Sequence, residues 1–414
     1  MGGFGTCGAL PTRRPKTMAP PFPLVSIGTA RISARAKSYV AEVLESAWLS
    51  DGPFRPRLEA LMAALHDVRH AIFCNSGTSA LQCAFAALRE LDCWHDGDEV
   101  IVPAVTFVAT ANMVLANGLH PVFVDVDART YNLDAGRLAD AIGPRTRAIV
   151  PTHLFGLPCD MDAILAIARG RGLRVVEDSC QTMFVSYRNR PVGSFGDVAC
   201  FSTRAGHLVT TGIGGFACTS DDRIASIMRS LVNDGRAEWT VADTPPLHKR
   251  FVFDRLGFSY RATELEAALA VAQMEEREAM LASRRRNAAL LDRLLAPVGD
   301  ELVQLPSCPP DREHAFAMYP LVLGAGAREK DTVLAHLGAH GIETRDLLPL
   351  LSQPTYRRLC GDDVQARFPV ARWLDARGFY VGCHEGLGER EITHLATMLG
   401  QVVHPGVSVA PSAA

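Results

Sequence analysis

The stretch Asn75-Ser76-Gly77-Thr78-Ser79-Ala80 follows a short apolar run and opens a helical pattern. Glycine lets a ligand or another backbone come close, and the free amides of a helix N-terminus beside Ser and Thr hydroxyls make a phosphate site. Without a ligand the same residues read as a plain N-cap after a tight turn. A second stretch, Val175-Val176-Glu177-Asp178-Ser179-Cys180-Gln181, puts two acids at the end of a β-rich run. Open α/β sheets bind ligands at the carboxyl ends of their strands. An aspartate there can keep a heterocyclic nitrogen protonated; its alternative is to cap the next helix. In the third stretch, Val198-Ala199-Cys200-Phe201-Ser202 turns through Thr203-Arg204-Ala205-Gly206 to His207, then enters the glycine-rich return Thr210-Thr211-Gly212-Ile213-Gly214-Gly215. A histidine five residues past a strand-end serine is a titratable group beside a polar cradle, although a lone loop histidine is more often a satisfied packing residue. The fourth stretch, Gly257-Phe258-Ser259-Tyr260-Arg261-Ala262-Thr263, opens a long helical pattern.

The elements that would position these residues alternate along the chain. The runs Ala71–Cys74, Glu99–Pro103, His120–Val126, Arg147–Phe155, Leu173–Asp178, Val198–Ser202 and Gly215–Thr219 are β-rich and bounded by turn residues. Segments between them, such as Ser79–Leu91 and Met161–Ala168, carry apolar residues at helical spacing. Strands alternating with helices predict an α/β fold with a mostly parallel sheet covered on both faces. Thr263–Leu295 reads as one long helix, apolar first and charge-dense later. A smaller α+β segment follows, with a strand near Met318–Leu323 and helices near Lys330–His340 and Glu391–Leu399. The pattern predicts a large domain over residues 23–275 and a small C-terminal domain over 276–404. Residues 1–22 and 405–414 lack periodicity and read as a disordered leader, with Met18 a candidate start, and a flexible tail.

The chain has 414 residues, 48% of them hydrophobic and 21% charged, as an ordered globular protein requires. A net charge of −3 gives no basic footprint for nucleic acid. No apolar run approaches the ~18 residues of a membrane span. The eleven cysteines are scattered, odd in number and without a CxxC pair. They argue for free thiols in a reducing, cytoplasmic setting and against a disulfide framework. Of 42 basic residues only Lys16, Lys37, Lys249 and Lys330 are lysine.

Together the four stretches resemble the DegT/DnrJ/StrS-type sugar aminotransferases, pyridoxal-phosphate enzymes of fold type I. The resemblance runs from WLSDGPF at 48–54, through PAVTFVATANMVLANGLHPVFVDVDARTYNLD at 103–134 and AIVPTHLFGLPCDM at 148–161, to FPVARWLDARGFYVGCH at 368–384. It implies a large cofactor-binding domain followed by the small one, and a homodimer with a shared active site. It further implies a nucleotide-sugar substrate and an amino donor such as glutamate. Carried onto this chain, Gly77, Thr78 and Ser202 would hold the cofactor phosphate, and Asn233 would reach it from the second subunit. Phe107 would stack on the pyridine ring, Asp178 would pair with its nitrogen, and Gln181 would contact its phenolic oxygen. Arg345 and His384, with Glu385 beside it, and Tyr260 and Arg261 at the start of the long helix are substrate-side candidates. His153, at a strand end, reads as well as a structural residue.

One departure decides the expected chemistry. The aminotransferases of this family carry lysine at the fifth residue after the strand-end serine, where it forms the internal Schiff base. Here that position is His207, and imidazole has no primary amine. Histidine at this place resembles the nucleotide-sugar 3-dehydratases, which hold pyridoxamine phosphate noncovalently. That subgroup implies a C–O lyase deoxygenating a nucleotide-linked 4-keto-6-deoxy sugar or a related keto-sugar or cyclitol of secondary metabolism, with His207 as acid/base. A reference pKa of ~6.5 suits imidazole to accept and return protons near neutrality. The variant of the subgroup that carries an iron–sulfur cluster would place cysteines just after LVNDGR at 231–236. Residues 237–251 contain none, so neither a cluster nor another metal is expected. Leu208, Ile213 and Ser259 stand where a second histidine, an acid and an asparagine are usual. Two other readings stay open: a sugar aminotransferase-type enzyme working without a covalent lysine, and a catalytically silent relative that binds a sugar nucleotide or a partner.

Overall fold

A computed structural model describes residues 24–238 and 251–403. The expected leader and tail, Lys16, Lys249 and most of the cysteine-free stretch 237–251 lie outside the described residues. Strands in the first half are β1 (His70–Cys74), β2 (Glu99–Pro103), β3 (His120–Val124), β4 (Thr146–Ile149), β5 (Arg174–Asp178), β6 (Ser186–Tyr187), β7 (Arg190–Pro191), β8 (Val198–Ser202) and β9 (Gly215–Thr219). Seven of them form one sheet in the order β1-β9-β8-β5-β4-β2-β3, and β6 and β7 make a separate hairpin. The large sheet is parallel except for β9, which runs antiparallel to both neighbours. Every residue of β8 and β9 is buried, as are the last four of β1, β2 and β5. Such burial follows when helices cover both faces.

Those helices are α1 (Ala34–Ser46), α2 (Phe54–Leu65), α3 (Gly77–Leu91), α4 (Val108–Ala116), α5 (Leu138–Ala141), α6 (Met161–Arg171), α7 (Asp222–Val232) and α8 (Glu264–Glu275). Their ends are set by local chemistry. Ser76 caps α3, its hydroxyl accepting from the Ser79 N–H at 3.0 Å. Asp160 caps α6, and Gly172 ends it in the left-handed conformation. Thr263 and Glu266 make a reciprocal capping box on α8. The buried Glu264 accepts from the N–H groups of Phe54 and Arg55 at 2.7 and 3.0 Å, so α8 supplies the anion that starts α2. The helix expected over Thr263–Leu295 is divided: α9 spans Arg277–Leu295, and at Glu276 a φ/ψ of −97°/5° tightens the turn. No glycine or proline marks that break.

A four-stranded antiparallel sheet follows, β10 (Val303–Gln304), β11 (Tyr319–Leu323), β12 (Arg345–Asp346) and β13 (Gly378–Val381), in the order β10-β11-β13-β12. With it go α10 (Lys330–Ala339), α11 (Pro354–Cys360), α12 (Pro369–Arg377) and α13 (Glu389–Val403). Leu291 of α9, Leu321, Val333, Phe379 and Leu395 belong to a second hydrophobic core. The two cores do not divide the chain at one point. Val25 lies in the second and Ile27 in the first, while Met280, Leu350, Tyr356 and Leu374 return to the first. Asp125, just past β3, accepts from the N–H groups of Val370 and Ala371 at 2.9 Å each and so starts α12. Among the described residues no helix is long and apolar enough to cross a membrane.

Neighbours along a strand face opposite ways, and β5 ends in two acids. Glu177, wholly buried, accepts from the backbone N–H groups of Gly193, Phe195 and Gly196 at 2.8, 2.8 and 2.7 Å. It also meets His153 Nε2 at 3.1 Å. His153 Nδ1 accepts the Cys159 N–H at 3.0 Å, so the neutral ring donates Nε2–H to Glu177. His153 is thereby a structural residue.

Two further imidazoles are sealed in. His66 donates Nδ1–H to the Val192 carbonyl at 2.7 Å, and the Nδ1 of His314 accepts the Phe316 N–H at 2.9 Å. Burial pushes their pKa values down to about 4 and about 3. An unfolded chain takes up these protons near pH ~6.5, whereas the folded chain does so only well below. Their contribution to stability is therefore complete above pH ~6.5 and declines as the pH falls, by up to ~1.4 kcal/mol per pH unit for each group. Urea midpoints should fall between about pH 7 and about pH 4.5, less steeply in His66→Gln; equal slopes in the two proteins would refute the assignment of His66.

Candidate active site

The carboxyl ends of β1, β2, β5 and β8, and the loops that leave them, open on one cavity of about 930 Å³. That is where an open α/β sheet offers backbone amides and strand-end side chains to a ligand. Gly77, Thr78, Phe107, Asp178, Gln181, Ser202, His207 and Arg345 all line it.

At one end, three backbones meet with no room for side chains. A Cβ on Gly77 would stand 2.9 Å from both Cys180 Sγ and Ser202 Cβ, and one on Gly215 would stand 2.4 Å from Gly77 N. The cap of α3 uses the N–H of Ser79 on the Ser76 hydroxyl and the N–H of Ala80 on the Ser76 carbonyl. The N–H groups of Gly77 and Thr78 are left for a ligand. With the Ser202 hydroxyl they sit at the positive end of a 15-residue helix, where donors suit an anion.

Asp178 is held from behind. Its Oδ2 accepts the Thr110 hydroxyl at 2.6 Å, and its Oδ1 accepts the Cys180 N–H at 3.2 Å. Thr110 and Thr106 share a hydrogen bond of 3.0 Å, and Thr106 reaches Thr152 at 3.4 Å. A chain of three buried threonines thus sets the carboxylate. The Oε1 of Gln181 accepts the Phe155 N–H at 2.9 Å, which leaves its NH2 group as a free donor. Phe107, at the residue before α4, is half exposed on the cavity wall.

His207 lies in a turn closed by Ala205 N–H on the Gly212 carbonyl at 3.0 Å and Thr211 N–H on the Thr203 carbonyl at 2.8 Å. Gly206 takes φ +90°, and a Cβ on Gly28 would strike its Cα at 2.4 Å, so a segment near the described N-terminus is pressed against the turn. The Nδ1 of His207 is buried without a hydrogen-bond partner. Burial first, then the Arg204 guanidinium, pushes the imidazole down to about 4. At neutral pH the ring is uncharged and able to accept a proton.

Other expected residues lie elsewhere. Asn233 accepts from Arg261 at 2.8 Å on the surface of the chain, with Ser259 beside the pair. Tyr260 stacks on Phe258 at 4.7 Å and 7°. None of Asn233, Tyr260 and Arg261 lines the cavity. His384 is also outside it and buried, its Nε2 against Ser26 at 3.1 Å and its Nδ1 accepting the Gly386 N–H at 3.2 Å. With both nitrogens used, it ties the segment at Ser26 to the loop after β13. Glu385 forms an ion pair of 3.0 Å with the fully buried Arg284. Lys37 is exposed on α1, and Lys330 is held by the Asp375 carbonyl at 2.8 Å and by Asp346 at 2.7 Å. No lysine lines the cavity among the described residues. None of their His, Cys, Asp and Glu groups is arranged to hold a metal ion. Conversely, Arg204, Tyr380 and Thr110 were not among the expected residues, yet the first two line the cavity and the third supports Asp178.

Comparison with known proteins identifies relatives by sequence and by fold. A model of the DegT/DnrJ/EryC1/StrS aminotransferase family matches residues 30–400. The GDP-perosamine synthase of Caulobacter vibrioides is 38% identical over 385 residues, which cover 92% of this chain and 99% of that one. The structure of S. venezuelae DesV in complex with a ketimine intermediate superposes with a TM-score of 0.80 at 29% identity, covering 89% of this chain and 94% of that one. E. coli GDP-4-keto-6-deoxy-D-mannose-3-dehydratase with bound hydrated PLP superposes with a TM-score of 0.81 at 25% identity, covering 91% and 100%. The large, mostly parallel sheet flanked by helices is the architecture of these pyridoxal-phosphate-dependent enzymes. By sequence and by fold, the chain belongs to the DegT/DnrJ/EryC1/StrS aminotransferase family.

Proposed function

We propose that the protein is a pyridoxamine-phosphate-dependent C–O lyase that removes the C3 hydroxyl of a nucleotide-linked 4-keto-6-deoxy sugar or a related keto-sugar. The observation that carries this reading is His207: a neutral imidazole with an unpartnered Nδ1, facing a cavity that no described lysine lines.

The residues fit the cofactor. The Gly77 and Thr78 amides and the Ser202 hydroxyl would hold its phosphate, and a side chain at Gly77 or Gly215 would force apart the segments that carry them. Asp178, its carboxylate oriented by the Thr110 hydroxyl and the Cys180 N–H, would pair with the ring nitrogen. The NH2 group of Gln181 would donate to the phenolic oxygen, and Phe107 would cover the ring. When bound, pyridoxamine phosphate supplies an amine that condenses with the sugar ketone and a ring that withdraws electrons. His207 would move the proton between the cofactor's C4′ carbon and the C3 hydroxyl that leaves as water. Glutamate would be the source of the amine. Over one cycle the sugar loses one oxygen while glutamate becomes 2-oxoglutarate and ammonia, so atoms and electrons balance. The half-buried Asn233 bonds the exposed Arg261, and the turn after Asn233 pairs with the segment that carries the exposed Phe251, Phe253 and Leu256. That surface suits a second subunit, to whose cavity Asn233 would contribute.

A sugar aminotransferase is the second reading, favoured by the 38% identity to GDP-perosamine synthase. Incubating the protein with a nucleotide-linked 4-keto-6-deoxy sugar, pyridoxal phosphate and glutamate, then weighing the product by mass spectrometry, separates the two. Loss of one oxygen with the ketone retained is expected; replacement of the ketone by an amine would establish transamination instead. An unchanged sugar together with no cofactor binding would mark a catalytically silent relative. His207→Asn should abolish turnover, by about a thousandfold or more for a lost acid/base group, while the cofactor's absorbance on the protein persists. His207→Lys should hold the cofactor through a covalent link that borohydride reduces. If no reduced adduct appears by mass spectrometry, position 207 does not face the cofactor's reactive carbon.

A further inference from the structure

We propose that a small cavity beside His207, bounded by Arg204, Arg345 and Tyr380, is a carboxylate subsite for an acid-bearing ligand of the main cavity. The proposal rests on the main cavity being the reaction site, and it adds the chemical class of one ligand. The small cavity has a volume of about 150 Å³ and shares Arg204, His207, Met318, Arg345 and Tyr380 with the main one. Its other wall is the segment from Ile27 to Ala30 and Glu343.

Charge counting points to an anion. Arg345 pairs with Glu343 at 2.9 Å, and Asp346 with Lys330 at 2.7 Å. The Arg204 guanidinium has no ion-pair or hydrogen-bond partner among the described residues. A guanidinium offers a planar fork of donors that matches a carboxylate, and this one is left for a ligand. The Tyr380 ring packs on Phe155 at 5.6 Å, and its hydroxyl, without a partner among the described residues, adds a further donor.

The space is small: at about 150 Å³ it has room for a carboxylate with a few carbons. The contact of Gly28 on Gly206 blocks enlargement on that side. A carboxylate bound here lies beside His207 and neutralises Arg204, whose charge adds to burial in keeping the imidazole weakly basic. Occupancy of the subsite would thereby make His207 a stronger base when the ligand is in place.

The test is calorimetric titration of the full chain loaded with pyridoxal phosphate, using 2-oxoglutarate, glucuronate and, as the uncharged control, glucose. At least one acid should bind. Arg204→Gln should weaken that acid about tenfold or more, the loss expected for a charge-assisted pair, and leave the cofactor's absorbance and the response to glucose unchanged. Tyr380→Phe, which keeps the ring packing, should cost a smaller, severalfold part. Binding of 2-oxoglutarate would assign the subsite to the amino-donor acid, and binding of glucuronate alone to an acidic sugar. The proposal is overturned if neither acid binds, or if Arg204→Gln binds as tightly as the unsubstituted protein. Because the readout is binding, an aminated sugar product with Arg204-dependent acid binding would remove only the proposed lyase reaction. A deoxygenated product with unchanged acid binding would remove only the subsite.

Discussion

A carboxylate sealed from water has to be met by donors on every side, and Glu177 sets that demand in the middle of the sheet. Three backbone N–H groups of the turn at 193–196 and the ring of His153 satisfy it. The turn that leads into β8 is thereby fixed against β5, and the loop after β4 is fixed with it. Strand alternation then leaves Asp178 no choice of face. It enters the cavity because its neighbour is committed to the interior. One buried acid sets the register of another that is available for chemistry.

The same economy runs through the rest of the cavity. Its anion-binding end is made of backbone, since Gly77, Gly215 and Ser202 approach too closely for larger groups. Its acid is supported by hydroxyls, Thr110 and Thr106, that carry no competing charge. Its histidine is kept neutral by burial and by one nearby guanidinium. Distant carboxylates, Glu264 and Asp125, do the structural capping, each starting a helix far away in sequence. These capping carboxylates lie away from the cavity, where Arg345 and Asp346 are paired with Glu343 and Lys330 while the Arg204 guanidinium has no partner among the described residues.

How far this was legible in the chain depends on whether a feature is local. The strands around Ile101, Val176 and Phe216 are near-continuous apolar runs, so the buried sheet and its order of elements could be read directly. Ser76, Asp178 and Ser202 each follow such a run, and that position alone marks them as strand-end or cap residues. The division of the long helix at Glu276 was hidden, because a tightened turn there needs no glycine or proline. Tyr260 and His384 looked like substrate residues, yet a stacked neighbour and a contact to Ser26 absorb them. Arg204 and Tyr380 were missed for the converse reason: what makes them notable is their meeting across 176 positions of sequence, which no local pattern records.

The segment at Val25–Gly28 has a mechanical meaning. Val25 is packed in one core and Ile27 in the other, while Gly28 bears on the turn that carries His207. Chain that is fully extended gains only ~3.5 Å per residue, so the two anchor points stay within one short stride. The cores cannot draw apart along this seam. Any shift of one core against the other along it would reach the turn of the imidazole through Gly28.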